Sequence, residues 1–504
     1  MPTPDAAALP LGPDVSLSSE QLERAATAPS VRVQPTAAAE TALDEARAAL
    51  AAIRDSGATV YGLTTGFGPL HEYASDDAGA PDHGEGLLAH LATGSGALLS
   101  PPLVRAMIGA RLQALAQGHS AVRPATFDAL SALLEADVVP AVPEVGSLGA
   151  SGDLTPLAHV ARVCTGDGQV RGPDGDPVPA SSALDRAGLA PVSLDARDAL
   201  ALVNGTSFMT GAAALALARG RRLVERAEAL TGWAYRVLGC SLEALDPRLH
   251  EARGHDGQSA SAAAIREAAT RHGPAERDAR PLQEVYSLRC APQILGAARD
   301  QLAYVRGVVE TELNGVTDNP VTLPDAPAAL HGGNFQGQQV AFAADALNEA
   351  LTQVGVLVER QIDVLLSPDQ NEATPLLAWE PGPTSGLAGA QLTATALVAE
   401  LRQNAQMAGT SSIPTNDDNQ DVVSMGALAA RTVHEQTAHL APILAVMGLA
   451  LAQLTHLQDA GRAEGPAPPP PPWMPAVEPV VEDRPLRSEI DALADRWLAP
   501  ADAT

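Results

Sequence analysis

An apolar stripe in the second half of the chain sets the strongest constraint on its fold. Its members recur every three or four residues, the spacing that places side chains on one face of an α-helix: Leu347, Leu351, Val354, Val358, Ile362 and Leu365. Further helices are expected over residues 384–406 and 425–457, and Pro442 is expected to kink or divide the last of them. Long helices that are apolar along one side pack against each other as a bundle.

The composition favours helices that pack closely. Hydrophobic residues make up 46% of the 504 residues, but aromatic residues make up only 3%. The core must therefore be built from alanine, leucine and valine, of which alanine and leucine are strong helix formers. The sequence predicts a mainly α protein, with a long-helix bundle and a smaller N-terminal region.

Glycine and proline mark the expected boundaries along the chain. Residues 1–18 are predicted to be a loose tail, and residues 463–480 a proline-rich linker. One domain is expected between them, over residues 19–462, with an N-terminal part to about residue 205 and the helical bundle after it. Residues 481–504 are expected to hold a short helix and a tail.

The charge balance restricts the possible partners. The net charge is -28, from 60 acidic and 32 basic residues, and the chain contains no lysine. Such a surface repels nucleic acids and anionic membranes, so neither is expected as a partner. A GC-rich genome and a halophilic host are both compatible with this lysine-free, acidic composition.

The cysteines and the apolar runs indicate a cytoplasmic protein. Cys164, Cys240 and Cys290 are too few, and odd in number, for a disulfide framework, which favours a reducing compartment. The first residues lack the basic and apolar regions of a signal peptide. The best apolar run, residues 443–452, is shorter than a membrane span.

One tripeptide could build a reactive group from the chain itself. Ala150-Ser151-Gly152 lies within the small-residue segment GSLGASGDLTPLAH, residues 146–159. In a strained loop, the amide nitrogen of Gly152 can attack the carbonyl carbon of Ala150, and loss of two waters leaves Ser151 as a methylidene. The product is an electrophile of a kind that no ordinary side chain provides. Small residues permit the close backbone approach that this needs, although an ordinary loop could have the same sequence.

The residues around the tripeptide carry a resemblance. Residues 149–159, with Asp153, Pro156 and His159, closely resemble the active-site signature of the aromatic amino acid ammonia-lyases, a family that includes histidine, phenylalanine and tyrosine ammonia-lyases and related aminomutases. Further segments resemble the family's other motifs in the same order, from about residue 20 to residue 460: YGLTTGFG at 61–68, NGT at 204–206, QEVYSLRC at 283–290, GNF at 333–335 and NQD at 419–421.

The resemblance implies the architecture and the cofactor. It implies a mainly helical subunit that assembles as a homotetramer, in which each active site takes residues from three subunits. It also implies that Ala150, Ser151 and Gly152 form 4-methylidene-imidazol-5-one (MIO) autocatalytically, with no external cofactor and no metal.

The resemblance also assigns roles to side chains. Tyr61 is implied to remove the β-proton of the substrate, and its phenol, which titrates near ~10 in water, must be held partly ionised by helix N-termini or by arginine. Arg289 is implied to bind the substrate carboxylate through two parallel hydrogen bonds. Asn204 and Tyr286 are expected to hold the imidazolone oxygen and the substrate.

Other residues of these motifs have supporting roles in this interpretation. Gln283 is expected to contact the carboxylate or to orient the neighbouring tyrosine. Gly68, Asn334 and Phe335 are expected to line the substrate pocket. Asp153 is expected either to orient the cofactor loop or to support it structurally.

Two positions bear on the choice of substrate. His90 and Leu91 lie in a segment that resembles the selectivity segment of the family, where tyrosine-specific members carry His-Leu, phenylalanine-specific members Phe-Leu and histidine-specific members Ser-His. An imidazole can hydrogen-bond a phenol hydroxyl, so tyrosine is favoured; otherwise His90 is a core histidine with a backbone partner. Gln420, also expected to bind substrate, stands where histidine-specific members carry glutamate.

The sequence therefore predicts elimination of ammonia from an aromatic L-amino acid, with L-tyrosine giving trans-p-coumarate as the favoured reaction. Histidine or phenylalanine as the substrate, and a tyrosine 2,3-aminomutase reaction that adds the ammonia back at the β-carbon, stay open. A helical scaffold without activity is disfavoured because every motif residue is retained.

Overall fold

The computed structural model describes residues 6–72, 81–271, 281–464 and 467–500. The chain divides into two compact units, and each unit is assembled from three separate stretches. Unit 1 comprises Met1–Ala216, Arg306–Asp345 and Met407–Arg431, and unit 2 comprises Leu217–Val305, Ala346–Gln406 and Thr432–Thr504. The N-terminal part thus extends past residue 205 and includes two later stretches, which differs from the expected linear division.

Eighteen α-helices occur in the described ranges, which confirms the predicted mainly α class. In chain order, α1 to α18 span Ser19–Thr27, Ala37–Asp55, Pro81–Leu91, Pro101–Ala116, Pro124–Glu135, Leu154–Cys164, Ala180–Ala187, Ala196–Val203, Ser207–Leu238, Pro247–Glu251, Asp256–Thr270, Tyr286–Arg289, Ala291–Leu313, Gln338–Leu366, Pro368–Asn371, Ala388–Gln403, Gly426–Asp459 and Arg487–Leu498.

In the part of the chain that the structure describes, short strands form four two-stranded sheets, all in unit 1. In chain order, β1 to β8 span Ala7–Leu11, Val31–Pro35, Ser95–Leu98, Pro143–Val145, Gln169–Arg171, Pro177–Pro179, Val321–Leu323 and Ala328–Leu330. β1 and β2 pair in parallel, with Ala7 opposite Val31. The other three pairs are antiparallel: β3 with β4, β5 with β6 and β7 with β8.

The first strand corrects the prediction of a loose tail over residues 1–18. Leu9 and Leu11 alternate with less buried neighbours along β1, and both are buried. This is the period-two pattern of a strand with one apolar face, and the short segment was not recognised because proline and alanine dominate it. Residues 1–5 of the predicted tail lie outside the described residues.

Three helices of unit 1 bring the ends of the motif segments together. α3, α6 and α8 pack against one another. α3 ends at Leu91, α6 begins two residues after Gly152, and α8 ends directly before Asn204. These three motif segments therefore lie at the ends of helices that pack together, which brings the segments close to one another.

Most residues of the long helices α9, α13, α14 and α17 belong to unit 2. All six members of the predicted stripe on α14, from Leu347 to Leu365, are buried. Buried Gln436 on α17 joins two neighbouring helices, because its Nε2 donates to the Leu401 carbonyl of α16 at 2.9 Å and to Oδ1 of Asn348 on α14 at 3.1 Å. Such a buried polar contact fixes the alignment of helices whose other contacts are apolar and have no preferred direction.

α17 excludes one of the two expectations for Pro442. Pro442 lies inside one helix that continues from Gly426 to Asp459, so the helix is not divided, and a kink at Pro442 stays a prediction. Leu440 and Leu444 on either side are fully buried, and their packing offsets the loss of one backbone donor. By length and hydropathy alone, α17 could cross a membrane, whereas the sequence analysis judged the apolar run at residues 443–452 too short for this. However, 89% of the most apolar stretch of α17 is buried in the protein.

The proline-rich segment after α17 is packed rather than a free linker. Trp473 makes edge-to-face contacts with Trp233 and Trp497, with ring centroids 6.3 Å apart in both pairs. Farther along, the Val480 amide donates to Oε1 of Gln453 at 2.8 Å. The short terminal helix predicted after the linker is present as α18.

Candidate active site

The predicted cofactor tripeptide lies between β4 and α6, against the turn that precedes α9. Gly152 has φ +68°, and a Cβ atom there would lie 2.2 Å from the carbonyl oxygen of Gly205. Any residue other than glycine at this position would therefore clash with the Gly205 backbone. The Asp153 amide donates to the same carbonyl at 2.8 Å, so the end of the tripeptide is fixed on the Gly205 backbone.

Asp153 holds the tripeptide loop in place through its buried carboxylate. Its carboxylate is fully buried and accepts hydrogen bonds from the Met209 amide and the Ser147 hydroxyl, both at 2.9 Å. The Met209 amide belongs to the first turn of α9, where unpaired N–H groups favour a negative charge. Burial raises the pKa of Asp153 to about 7, although these hydrogen bonds oppose the shift. The contacts suit both expected roles, orientation of the loop and structural support.

A cavity of about 880 Å³ lies over the tripeptide and is lined by residues of unit 1. The lining includes ten of the fourteen predicted site residues: Tyr61, Gly68, His90, Leu91, Ala150, Ser151, Gly152, Asn204, Phe335 and Gln420. Segments that are far apart in the sequence therefore meet at one place in the fold. Nε2 of Gln420 donates to the Ser151 hydroxyl at 2.7 Å, so Gln420 contacts the tripeptide itself.

Tyr61 is held by hydrogen bonds with its own loop and with His331. Its hydroxyl accepts from the Gly68 amide at 2.7 Å, and its amide donates to Nε2 of His331 at 3.0 Å. Burial raises the pKa of the Tyr61 phenol, and the hydrogen bond from Gly68 opposes this. The expectation of a lowered pKa is therefore not met within one chain, because no arginine is among the described residues that line the cavity.

Asn204 is oriented by a buried carboxylate. Its Nδ2 donates to Oδ1 of Asp318 at 3.3 Å and to the Asn319 carbonyl at 2.8 Å. Asp318 is in turn paired with Arg197, and both are buried. Oδ1 of Asn204 is buried without a hydrogen-bond partner among the described residues. The Asn204 amide group is thus engaged as a donor in the unprocessed chain, and its expected bond to the imidazolone oxygen stays a prediction.

His90 lines the cavity and has a backbone partner that favours one tautomer of its ring. Its Nδ1 is 3.0 Å from the Gly86 carbonyl oxygen, one turn earlier on α3. Because a carbonyl only accepts, this contact favours the neutral tautomer with the proton on Nδ1, in which Nε2 is an acceptor. The ring is exposed rather than part of the core, although it does have the backbone partner that the alternative interpretation of a core histidine expected.

Four predicted site residues do not line the cavity. Gln283, Tyr286 and Arg289 belong to unit 2, where the Arg289 guanidinium lies 4.5 Å from the centroid of the Tyr286 ring and Nε donates to the Glu284 carbonyl. Tyr286 is 70% exposed. Asn334 belongs to unit 1, is exposed, and its Nδ2 lies 3.5 Å from the Val316 carbonyl oxygen.

Several residues that hold the site were missed by the sequence analysis. Asp318 and Asn319 precede Pro320, and this polar pair before proline is a turn signal that could have been noticed. Ser147 lies within the glycine-rich segment already singled out. Arg197 and His331 gave no signal, because an isolated arginine or histidine is usually a surface residue.

Comparison with known proteins gives the same assignment as the geometry. The sequence matches the aromatic amino acid lyase family over residues 17–470. This chain belongs to that family. As an aromatic amino acid lyase family member it is an enzyme of the ammonia-lyase type, which acts on carbon–nitrogen bonds.

Individual relatives differ in their substrates. The lyase is 42% identical over 480 residues to a tyrosine ammonia-lyase from Cupriavidus metallidurans, covering 91% of this chain and 88% of the relative. It is 39% identical over 455 residues to a histidine ammonia-lyase from Aromatoleum aromaticum, covering 90% and 84%. A relative from Streptomyces globisporus, 38% identical over 470 residues and covering 88% and 86%, is an MIO-dependent tyrosine 2,3-aminomutase.

Solved structures of relatives share the fold. The crystal structure of tyrosine aminomutase from Streptomyces globisporus superimposes on this lyase with a TM-score of 0.88, at 35% identity and with 97% of each chain covered. The family uses MIO, and the Gly152 contact and the free approach to Ser151 fit a group made from this tripeptide.

The raised pKa of Asp153 predicts a dependence of stability on pH. The folded state holds this proton to about pH 7, whereas an unfolded aspartate loses it near ~3.9. The folded state therefore binds more protons, and its stability falls as pH rises toward 7, by up to about 1.4 kcal/mol per pH unit, and then levels off. Asp153→Asn removes this titration, so the unfolding free energy of the wild type minus that of the variant should fall from pH 5.5 to pH 7.

Urea unfolding at half-unit steps of pH from 5.5 to 8 measures this difference. Asp174→Asn, in an exposed turn, is the matched control and should give a difference that is flat over the same range. A flat difference for Asp153→Asn as well would show that Asp153 is ionised in the folded enzyme.

Proposed function

We propose that this enzyme eliminates ammonia from L-tyrosine and releases trans-p-coumarate, with MIO formed from Ala150, Ser151 and Gly152. The observation that carries the choice of substrate is the state of His90. Its Nδ1 proton is held by the Gly86 carbonyl at the wall of the cavity. This contact favours the tautomer in which Nε2 is an acceptor, which matches the hydroxyl of a phenol.

Gln420 and the relatives add support for tyrosine. An amide at position 420 offers no carboxylate to a cationic or imidazole substrate. Two relatives, 42% and 44% identical, are tyrosine ammonia-lyases. The aminomutase reaction is the second candidate, because a tyrosine 2,3-aminomutase is 38% identical to this chain.

Each side chain has a task in the proposed reaction. His90 holds the phenol hydroxyl, and Phe335 contributes an apolar wall to the cavity. The phenolate of Tyr61 takes the β-proton, which requires its pKa to fall from the raised value found in the single chain. The cofactor supplies an electrophilic methylidene that eases loss of the amine.

We propose that the missing positive charge comes from a neighbouring subunit of a homotetramer. The cavity lining of one chain offers no cation for the substrate carboxylate among the described residues. Arg289 and the exposed Tyr286 lie together in unit 2, near Leu282, which is 89% exposed. Exposed apolar side chains of this size favour burial in an interface. Arg289 of the partner subunit would bind the carboxylate and lower the pKa of Tyr61.

We also propose a cytoplasmic location without nucleic-acid or membrane partners. Among the described residues, Cys164, Cys240 and Cys290 form no disulfide bond, and the first two are buried. Cysteines without disulfide bonds are typical of reducing compartments. The net charge of -28 disfavours anionic partners.

Incubation with tyrosine, phenylalanine and histidine in separate reactions tests the proposed reaction. We expect tyrosine to give p-coumarate and free ammonia, with the highest kcat/KM of the three. Mass spectrometry identifies the products. A β-amino acid of unchanged mass would establish the aminomutase reaction, and preferred turnover of histidine would exclude the tyrosine assignment.

Replacement of His90 tests its contact with the phenol. His90→Phe removes the acceptor and keeps an aromatic ring. The ratio of kcat/KM for phenylalanine over tyrosine should rise by at least about tenfold, since a site built to bond a hydroxyl discriminates against its absence. His255→Phe, at an exposed histidine of unit 2, is the control and should leave the ratio unchanged. An unchanged ratio in His90→Phe would remove His90 from substrate recognition.

Co-expression of two inactive variants tests the sharing of active sites. Tyr61→Phe and Arg289→Ala should each be nearly inactive alone. In mixed tetramers a site that pairs Tyr61 of one subunit with Arg289 of another should recover activity, to about a quarter of the sites under random assembly. The separately purified variants, mixed without subunit exchange, are the control. Co-expressed protein that stays inactive would mean that both residues act within one subunit.

A further inference from the structure

The contact between Gln420 and Ser151 lies at the atom that must leave when the cofactor forms. Nε2 of Gln420 donates to Oγ of Ser151 at 2.7 Å. Gln420 was expected to act on the substrate. In the unprocessed chain, its hydrogen bond is instead directed at the tripeptide.

The loop that carries Gln420 is closed by hydrogen bonds at its ends and has an uncommon backbone conformation. The amides and carbonyls of Thr415 and Gln420 bond to each other, at 3.2 and 3.3 Å, and close the loop at its ends. Between them, Asn416, Asp417 and Asp418 have φ of 58°, 55° and 56°. Three successive non-glycine residues in the left-handed region are costly, and asparagine and aspartate tolerate it best. Such a conformation persists only where the surroundings hold it.

The same loop also approaches the loop of Tyr61. A Cβ atom at Gly68 would lie 2.9 Å from Nδ2 of Asn416. Ser424, a few residues later, donates its hydroxyl to the Gly149 carbonyl at 3.1 Å. The segment from Thr415 to Ser424 therefore contacts the tripeptide loop at two points, and Gln420 is held in place against Ser151.

The chemistry of the second dehydration shows what a donor at this position does. Ring closure joins the Gly152 nitrogen to the Ala150 carbonyl carbon and releases that oxygen as water, with the protons of the Gly152 and Ser151 amides. The second step breaks the Cβ–Oγ bond of Ser151 and removes its Cα proton. The departing hydroxide takes up this proton, so one further water leaves and a Cα–Cβ double bond remains.

We infer that Gln420 promotes formation of the cofactor by donating a hydrogen bond to the Ser151 hydroxyl as it departs. Negative charge develops on Oγ while the Cβ–Oγ bond breaks, and a fixed N–H donor stabilises charge that develops in the transition state. The Gln420 amide does not give up its proton in this step. The inference rests on the proposed function, since it concerns formation of the proposed MIO group.

The test measures maturation rather than turnover. Gln420→Met keeps a side chain of similar length without a donor, and Gln420→Ala leaves space in which a water molecule can donate instead. Asp417→Asn, in the same loop, is the matched control because asparagine tolerates the left-handed conformation as aspartate does. Mass spectrometry measures the masses of peptides that contain residues 150–152 at set times after a short pulse of expression. Circular dichroism reports whether each variant folds.

Wild type and Asp417→Asn should lose two waters at equal rates. Gln420→Met should accumulate the peptide that has lost only one water, with the second loss slowed by at least about tenfold, and Gln420→Ala should lie between them. If Gln420→Met does not fold, the comparison of Gln420→Ala with wild type decides. Loss of both waters at the wild-type rate in the folded Gln420 variants would overturn the inference alone, whereas a wild-type peptide of unchanged mass would overturn the proposed function with it.

Discussion

The close contact between two backbone segments, Gly152 and Gly205, underlies the whole site. Because Gly152 has no side chain, the end of the tripeptide lies directly on the turn between α8 and α9. The Asp153 amide continues the contact by bonding to the Gly205 carbonyl. The cofactor loop, the start of α6 and the start of α9 are thereby fixed relative to one another. A larger side chain at Gly152 would push the tripeptide away from this turn.

The electrostatics of unit 1 depend on charges that are buried in pairs or beside helix ends. Asp318 is balanced by Arg197 and orients Asn204, and Asp153 lies at the first turn of α9. Isolated buried charges would be far more costly. Arg197 is thereby buried with Asp318, and no arginine is among the described residues that line the cavity. The cation that we propose from a neighbouring subunit would supply the charge that this lining lacks.

The sequence predicted the helices and the residues that line the site better than it predicted the residues that hold them in place. Periodicity identified α14, because six apolar residues at helical spacing have few other interpretations, and the motifs identified ten residues that do meet in one cavity. Strand β1 was missed because five residues provide too little pattern. The roles of Asp318 and His331 depend on contacts across more than a hundred residues of chain, and local sequence carries no record of such contacts. The position of Arg289 in unit 2 could not be read from the order of the motifs.

The hydrogen bond between Ser151 and Gln420 joins residues that are 269 positions apart. During synthesis at about 5–20 residues per second, the tripeptide leaves the ribosome some tens of seconds before Gln420 does. Unit 1 itself is complete only when Met407–Arg431 has been made. If Gln420 promotes the dehydration, as we infer, the nascent chain would carry an ordinary serine throughout most of translation. The electrophile would then form only after the cavity that encloses it, so a half-made chain would expose no alkylating group to the thiols and amines of the cell.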